Sequence, residues 1–325
     1  MTVLTKLLRI FQSRAFRTGF LLLALVAAIW AILKYRVEVG EALTRLPLWV
    51  VAGATLASFI FVPLTMLSWR VILNATGAPV DRVVARRIFF TSQVAKYLPG
   101  GVWNFVAAAE VGRDYAISRR RSVCALLISI IISIVTGMIL AGLAVVFGPS
   151  GLLSRYWWIV VVVPAGIAVL LPPVLNRLVG LALRLMRREP LETDISWSAT
   201  VRAAGWAFLS WFVMGVQLWL MLTHVGMTAN LSTFMLATGG YALGWTVGFL
   251  IFFVPAGVGV REVALGAVLA TAAVSQGAIL VVVLLSRVFT TLADIVLGVA
   301  AAAGMRRATA KHAAPPVETD GSGSR

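Results

Sequence analysis

The sequence has very little of three things on which many enzymes and secreted domains depend: cysteine, histidine and acidic side chains. Its 325 residues include one cysteine, two histidines and 12 aspartates or glutamates. A single cysteine, Cys124 within an apolar run, leaves no disulfide framework and no cysteine-based metal cluster, so no metal is predicted. The sequence also contains no Gly-x-x-x-x-Gly-Lys-Ser/Thr phosphate loop, so any activity is predicted to need neither ATP nor a cofactor.

What the sequence has in abundance is long apolar segments. Hydrophobic residues make up 60% of the chain, and six runs approach or exceed the ~20 residues that cross a bilayer. These runs are Gly19–Leu33, Leu48–Leu67, Val123–Phe147, Ile159–Val174, Ala203–Leu222 and Ile279–Ala303. Because only helices or closed barrels cross a bilayer, the runs predict an all-α polytopic protein of the cytoplasmic (inner) membrane.

The formal net charge of +16 raises the alternative of a nucleic-acid-binding protein. Such proteins place Lys and Arg on one face, interleaved with aromatic side chains on which bases stack. Here the basic residues cluster in short loops between apolar runs. This pattern is typical of membrane topology, since Lys and Arg near span ends favour the cytoplasm. No nucleic-acid partner is predicted.

The basic clusters also indicate how the chain crosses the membrane. With the N-terminus inside, 21 of the 28 basic residues fall inside, four outside and three within the membrane. This count requires Ile88–Gly112 and Phe234–Val274 each to enter and leave on one side, as re-entrant hairpins. The sequence therefore predicts six spanning helices plus two opposed hairpins. Eight spanning helices are the alternative, because residues 233–254 are long enough to cross.

Each predicted hairpin is interrupted by Pro and Gly, which helix interiors tolerate poorly. The break residues are Pro99, Gly100 and Gly101 in the first hairpin and Pro255, Gly257 and Gly259 in the second. The two breaks lie 156 residues apart (255 against 99), and the same offset carries 47–69 to 203–225 and 122–147 to 278–303. Matching Gly/Pro breaks in an inverted repeat indicate a transporter with its site near the midplane.

The predicted domain organisation follows from these elements. Residues 1–17 form a cytoplasmic segment and residues 18–305 a single transmembrane domain, with halves at about 18–148 and 157–305. Residues 306–325 are rich in Ala, Pro, Thr, Gly and Ser without apolar periodicity, which predicts a disordered cytoplasmic tail.

Three motifs resemble those of the lysylphosphatidylglycerol synthase transmembrane-region family, the flippase-like domain of the multiple peptide resistance factor. They are Lys96-Tyr97-Leu98-Pro99-Gly100-Gly101 with Glu110 and Arg113, Pro255-Ala256-Gly257-Val258-Gly259-Val260-Arg261-Glu262, and Leu285-Ser286-Arg287. Trp103-Asn104 departs from the family pattern, in which a Gly and a polar or acidic residue are common. The resemblance implies a lipid flippase or lipid-carrier translocase. It does not imply lysyl transfer, because only a short tail follows Ala303.

Six ionisable residues lie within apolar segments and form the candidate substrate site. They are Lys96, Glu110, Arg261, Glu262, Arg287 and Asp294. Charges near the bilayer centre are costly and usually face an interior or a watery cavity. We expect Glu262 to pair with Arg287, and the cations to bind a lipid phosphate; a closed structural network without a ligand is the alternative. The recurring Gly240, Gly244 and Gly248 predict close helix packing.

Three functions are therefore weighed. The first is a flippase or translocase for a phosphate-bearing lipid, with an anionic membrane lipid as its partner. The second is a polyprenyl-phosphate-linked sugar translocase that serves a glycosyltransferase or a lipid-modifying enzyme. The third, an intramembrane enzyme, needs a nucleophile–base pair or a metal triad. His224 and His312 both lie outside the spans, so a non-enzyme is predicted. The sequence does not specify the oligomeric state.

Both termini are predicted to lie in the cytoplasm, because basic clusters flank the membrane domain at Lys6–Arg17 and at Arg306–Lys311. Reporter enzymes that are active on only one side of the membrane, fused to each end in turn, should both report the cytoplasm. An external C-terminus would contradict the inverted repeat, because it requires an odd number of crossings.

Overall fold

A computed structural model of the protein describes residues 26–313, apart from 28, 99–101, 150, 186–188, 190, 252–256 and 273. Within this part of the chain all regular structure is helical. The helices are α1 Arg36–Thr44, α2 Leu48–Ala75, α3 Arg82–Ala95, α4 Trp103–Arg113, α5 Arg119–Phe147, α6 Leu152–Leu170, α7 Pro172–Leu185, α8 Trp197–His224, α9 Leu231–Leu250, α10 Val260–Leu269 and α11 Gln276–Ala313. The protein is an all-α polytopic membrane protein, as predicted.

Five described helices are long and apolar enough to cross a membrane: α2, α5, α6, α8 and the part Gln276–Gly304 of α11. The predicted first span, Gly19–Leu33, lies mostly outside the described residues, as do residues 1–17. The predicted disordered tail begins too early at residue 306, because α11 continues to Ala313. Ala, Met, Arg and Lys dominate this stretch, and all four are strong helix formers.

Helix boundaries follow local chemistry. Side chains of Asp81, Ser118, Ser196 and Asn230 each accept a backbone N–H at the start of α3, α5, α8 and α9. Such caps satisfy donors that the first helical turn leaves free. At the other end of the α6 span, Leu171 is extended because Pro172 follows it. The predicted span Ile159–Val174 is therefore wrong at its end, and α6 runs from Leu152 to Leu170.

The two halves of the chain repeat the same helix order. Helices α2 and α8 both have 28 residues, and α8 starts 149 residues after α2 (197 against 48). After the breaks the shift is larger: α10 starts 157 residues after α4 (260 against 103), and α11 starts 157 after α5 (276 against 119). The constant offset of 156 is thus wrong before the breaks. The main reason is that α9 has 20 residues and α3 has 14.

The pairs α3–α4 and α9–α10 approach the middle of the protein from opposite ends. Thr193 donates to the Ala75 carbonyl (2.9 Å), which places the start of α8 beside the end of α2, next to the open end of α3–α4. At the opposite end the Gly277 N–H donates to Glu38 (2.8 Å), which places the start of α11 beside α1. Chain connectivity puts the open end of α9–α10 there.

Helix lengths bear on the predicted re-entrant hairpins. At ~1.5 Å per residue, α3, α4 and α10 extend roughly 21, 16 and 15 Å, about half to two-thirds of the ~30 Å hydrocarbon core. Helix α9, with 20 residues, extends ~30 Å and is long enough to cross. The first pair therefore has the dimensions of a hairpin with two short limbs, whereas the second has one long limb and one short limb.

Small residues let α9 approach its neighbours closely. A Cβ added at Gly244 would lie 3.0 Å from Leu265 Cβ, and one added at Gly248 would lie 2.8 Å from Arg261 Cβ. The stripe that also includes Gly240 thus lies against α10. On another face, a Cβ at Gly239 would overlap Ala144 of α5 and lie 3.0 Å from the Leu140 carbonyl oxygen.

Gly239→Ala is expected to lower the thermal stability of the detergent-solubilised protein, since overpacking a helix interface costs roughly 1–3 kcal/mol. Gly205→Ala on α8 is the matched control, because no atom lies within 4 Å of a Cβ added there. The control should be neutral or slightly stabilising, as Ala exceeds Gly in helix propensity by about 1 kcal/mol. Equal melting temperatures for the two variants would show that α9 and α5 are not in close contact.

Candidate functional site

The ends of both helix pairs meet the middle of α11. Arg287 lies 11 residues after the start of the span (287 against 276), and Asp294 lies 10 residues before its end (304 against 294). At ~1.5 Å per residue each is roughly 15 Å from an end, which is near the midplane of a spanning helix. Lys96 precedes the first break and Arg261 follows the second, so both breaks reach this level.

Asp294 is the centre of a first polar cluster. Its carboxylate is 2.7 Å from Lys96 Nζ and accepts a hydrogen bond from the Tyr97 hydroxyl at 2.7 Å. The Asp294 side chain is only 3% exposed, whereas that of Lys96 is 30% exposed. Lys96 also donates to Gln93 (2.9 Å) on the preceding turn of α3. The buried carboxylate is therefore fully engaged, while the ammonium group faces open space on one side.

Glu262 forms a second cluster at the start of α10. One carboxylate oxygen lies 3.5 Å from Arg287 Nε, which is the predicted ion pair. The other accepts the backbone N–H of Gly259 at 2.6 Å. We expected free N–H groups at this helix start to face a ligand anion, and Glu262 takes one of them instead. Glu262 thus caps α10 and holds Arg287 in one orientation.

Arg261 stands apart from both clusters. Its guanidinium lies 4.5 Å from the centre of the Tyr241 ring, over the face of a side chain that is 1% exposed. A cation over an aromatic face gains some stability but keeps its charge. Among the residues that the structure describes, no carboxylate lies within salt-bridge distance of Arg261. The planar fork of this side chain therefore remains able to bind two oxygens of an anion.

A cavity of about 390 Å³ joins these groups. Charged and polar side chains on its wall are Gln93, Lys96, Asn104, Ser129, Ser133, Arg261, Arg287 and Asp294. Aromatic side chains, among them Trp211, Trp245 and Phe249, make up much of the remainder. The start of α4 also reaches the wall through Val102 and Asn104, so the positive end of its dipole faces the cavity. This combination suits an anion with an apolar attachment.

Glu110 is the one predicted site residue that the structure does not bring to this cluster. It lies near the other end of α4, where it contacts Arg119 at 2.7 Å and Arg113 at 3.3 Å. The hydrogen bond from Arg119 lowers the pKa of Glu110 below its usual value. A carboxyl group held ionised in this way is poorly suited to the role of proton carrier.

The predicted break residues are only partly described. Pro99, Gly100, Gly101 and Pro255 lie outside the described residues. Gly257 and Gly259 have φ values of 67° and 84°, a region that glycine adopts without strain. A Cβ at Gly257 would also lie 2.9 Å from the Gly248 carbonyl oxygen, so a side chain there would clash with α9.

Several site residues were not predicted from the sequence. Gln93 precedes Lys96 by one helical turn, a spacing that could have placed it on the same face. Tyr97 bridges the clusters: it donates to Asp294, and its ring lies 5.8 Å from the Arg287 guanidinium. Tyr241 and Arg261 are 20 residues apart on different helices, and no local spacing relates them.

The family comparison covers this whole site. A family model described as "Lysylphosphatidylglycerol synthase TM region" matches residues 14–298. The chain belongs to this family. Membership in the lysylphosphatidylglycerol synthase TM region family agrees with a multi-pass membrane protein of lipid-related function, and the matched range includes both helix pairs and all lining residues of the cavity. No curated protein matches the chain.

In this member of the lysylphosphatidylglycerol synthase TM region family, Lys96 and Asp294 should be strongly coupled. Asp294→Leu alone leaves the Lys96 ammonium without its carboxylate, and breaking a buried pair costs roughly 3–5 kcal/mol, less here because Lys96 is partly exposed. Adding Lys96→Met should recover part of that loss. A double-mutant cycle on thermal unfolding should give a coupling of about 1–3 kcal/mol.

The exposed pair of Glu110 and Arg113 is the control for this cycle, since such pairs contribute about 0–1 kcal/mol. If Lys96 and Asp294 couple no more strongly than the control pair, the ion pair at the cavity does not stabilise the fold.

Proposed function

We propose that the protein moves a phosphate-bearing lipid across the cytoplasmic membrane without ATP. The observation that carries this proposal is Arg261: a cation with no described carboxylate partner, on the wall of a cavity, at the mid-level of α11. A charge at this depth is costly and is usually retained for a ligand or a pathway. The lipid-related family and the aromatic wall of the cavity support a lipid over a free anion.

The charge count indicates which headgroup fits. Three cations (Lys96, Arg261 and Arg287) and two carboxylates (Glu262 and Asp294) lie at the cavity, which leaves one net positive charge. The segments at the breaks that the structure does not describe, 99–101 and 252–256, contain no ionisable side chain. A single phosphodiester therefore neutralises the site. Both a glycerophospholipid and a polyprenyl-phosphate-linked sugar meet this condition, whereas a pyrophosphate-linked carrier would leave excess negative charge.

The helix arrangement supports movement across the membrane rather than static binding. Two helix pairs reach one cavity from opposite ends, and each is attached to α11 by its own ion pair. Inverted repeats of this kind allow a central site to be exposed alternately to the two sides. The cations have different roles: Lys96 and Arg287 are held by carboxylates, so Arg261 is the residue that binds the phosphate.

In proteoliposomes with a fluorescent anionic phospholipid, Arg261→Gln should reduce protein-dependent lipid movement to the protein-free rate, because the uncharged amide lacks the charge that binds phosphate. Arg261→Lys should restore part of it, since a point charge lacks the fork. Dithionite quenching of the outer leaflet measures the rate.

Arg155→Gln, which removes a basic side chain at the start of α6, is the matched control and should leave the rate unchanged. Folding is checked by thermal unfolding of each variant. Lipid movement by Arg261→Gln at the unmodified rate would refute the phosphate site.

A further inference from the structure

A second hollow lies between α4 and α5. It encloses about 580 Å³ and shares Val102, Phe105 and Leu127 with the central cavity, so the two spaces adjoin. Apart from Glu110 and Arg119 at one end, its lining is apolar. Val106 and Leu127 on its wall are 42% and 43% exposed, which opens the groove to the side of the helix bundle. We call this hollow the α4–α5 groove.

The α4–α5 groove has the depth of one leaflet. Along α5 its lining runs from Arg119 to Leu127, eight residues or roughly 12 Å, and half of the hydrocarbon core is roughly 15 Å thick. Arg119 begins α5 at the end that also holds the basic loops. By the positive-inside pattern that end is cytoplasmic. The groove therefore occupies the level of acyl chains in the cytoplasmic leaflet.

The charged end of the groove fits the same leaflet. Glu110 contacts both Arg113 and Arg119, and this three-residue cluster has one net positive charge. The Arg113 and Arg119 side chains are 59% and 60% exposed, so the charge is presented outward. Anionic headgroups at the cytoplasmic surface are attracted to basic clusters with about 1 kcal/mol per Lys or Arg.

The central cavity cannot hold a whole lipid. Its volume of about 390 Å³ is near the low end of sites for small molecules, roughly 300–1,000 Å³. A headgroup fits, and the acyl chains must lie elsewhere. Since the α4–α5 groove adjoins the cavity, is apolar and opens sideways, we infer that it is the lateral entrance from the cytoplasmic leaflet. It holds an acyl chain of the lipid whose phosphate binds Arg261. This inference rests on the proposed function.

A photo-crosslinking amino acid at Val106 tests the occupant, with proteoliposomes of phosphatidylglycerol and phosphatidylcholine as the probe. Val216 on α8 is the matched control, because it is 41% exposed against 42% for Val106. Crosslinking of phosphatidylglycerol from position 106 should fall several-fold when Arg261→Gln is added, since the bound headgroup no longer holds the chain there. Crosslinking from position 216 should not change.

A second variant tests passage through the groove. Val106→Trp narrows it and should slow lipid movement several-fold, whereas Val216→Trp should not. If labelling from position 106 is insensitive to Arg261→Gln, or if Val106→Trp moves lipid at the unmodified rate, the groove is ordinary bilayer-facing surface and the inference is overturned. The proposed function survives that result as long as Arg261→Gln itself abolishes lipid movement; if it does not, the proposed function has failed first.

Discussion

The cost of charge in a medium that solvates it poorly is the constraint on which the structure depends. Five ionisable side chains converge at the mid-level of α11, where an unsatisfied charge costs several kcal/mol. Lys96 can be there only because Asp294 is beside it, and Arg287 only because Glu262 has arrived from α10. The ends of two separate helix pairs are thus tied to one helix, and the ion pairs fix where the chain breaks must lie.

Close packing supplies what the ion pairs need. The glycine stripe of α9 allows α10 to lie against it, which carries Arg261 to the ring of Tyr241 and Glu262 to Arg287. On the other side, a Cβ at Gly298 would lie 2.9 Å from the Phe90 carbonyl oxygen, so α3 lies directly against α11. That contact brings Lys96 to Asp294. Small residues and buried charges are therefore parts of one arrangement, in which the first provides the approach and the second the affinity.

The sequence was sufficient for features that depend on local chemistry or on long apolar runs. The all-α membrane architecture, the two broken segments and the Glu262–Arg287 pair all followed from it. It was insufficient where three-dimensional contact decides. The offset of 156 assumed equal limbs, and a limb may lengthen by whole helical turns without losing its apolar character. The ring of Tyr241 beneath Arg261 and the groove beside α4 are products of packing between distant segments, which spacing along one chain does not encode.

The two halves repeat the same plan with unequal firmness. Twelve of the 20 residues of α9 are buried, and its glycines bind α10 closely, whereas only three of the 11 residues of α4 are buried and α3 contains no glycine. One short helix is bolted to its frame and the other resembles a door leaf that is free to swing. We expect most of the motion to occur at α4. For a passive carrier, such lopsided hinges leave the final distribution of lipid between the leaflets untouched, because both directions share every state along the route. They set only the pace, and the slow partner in that pace is the bolted side.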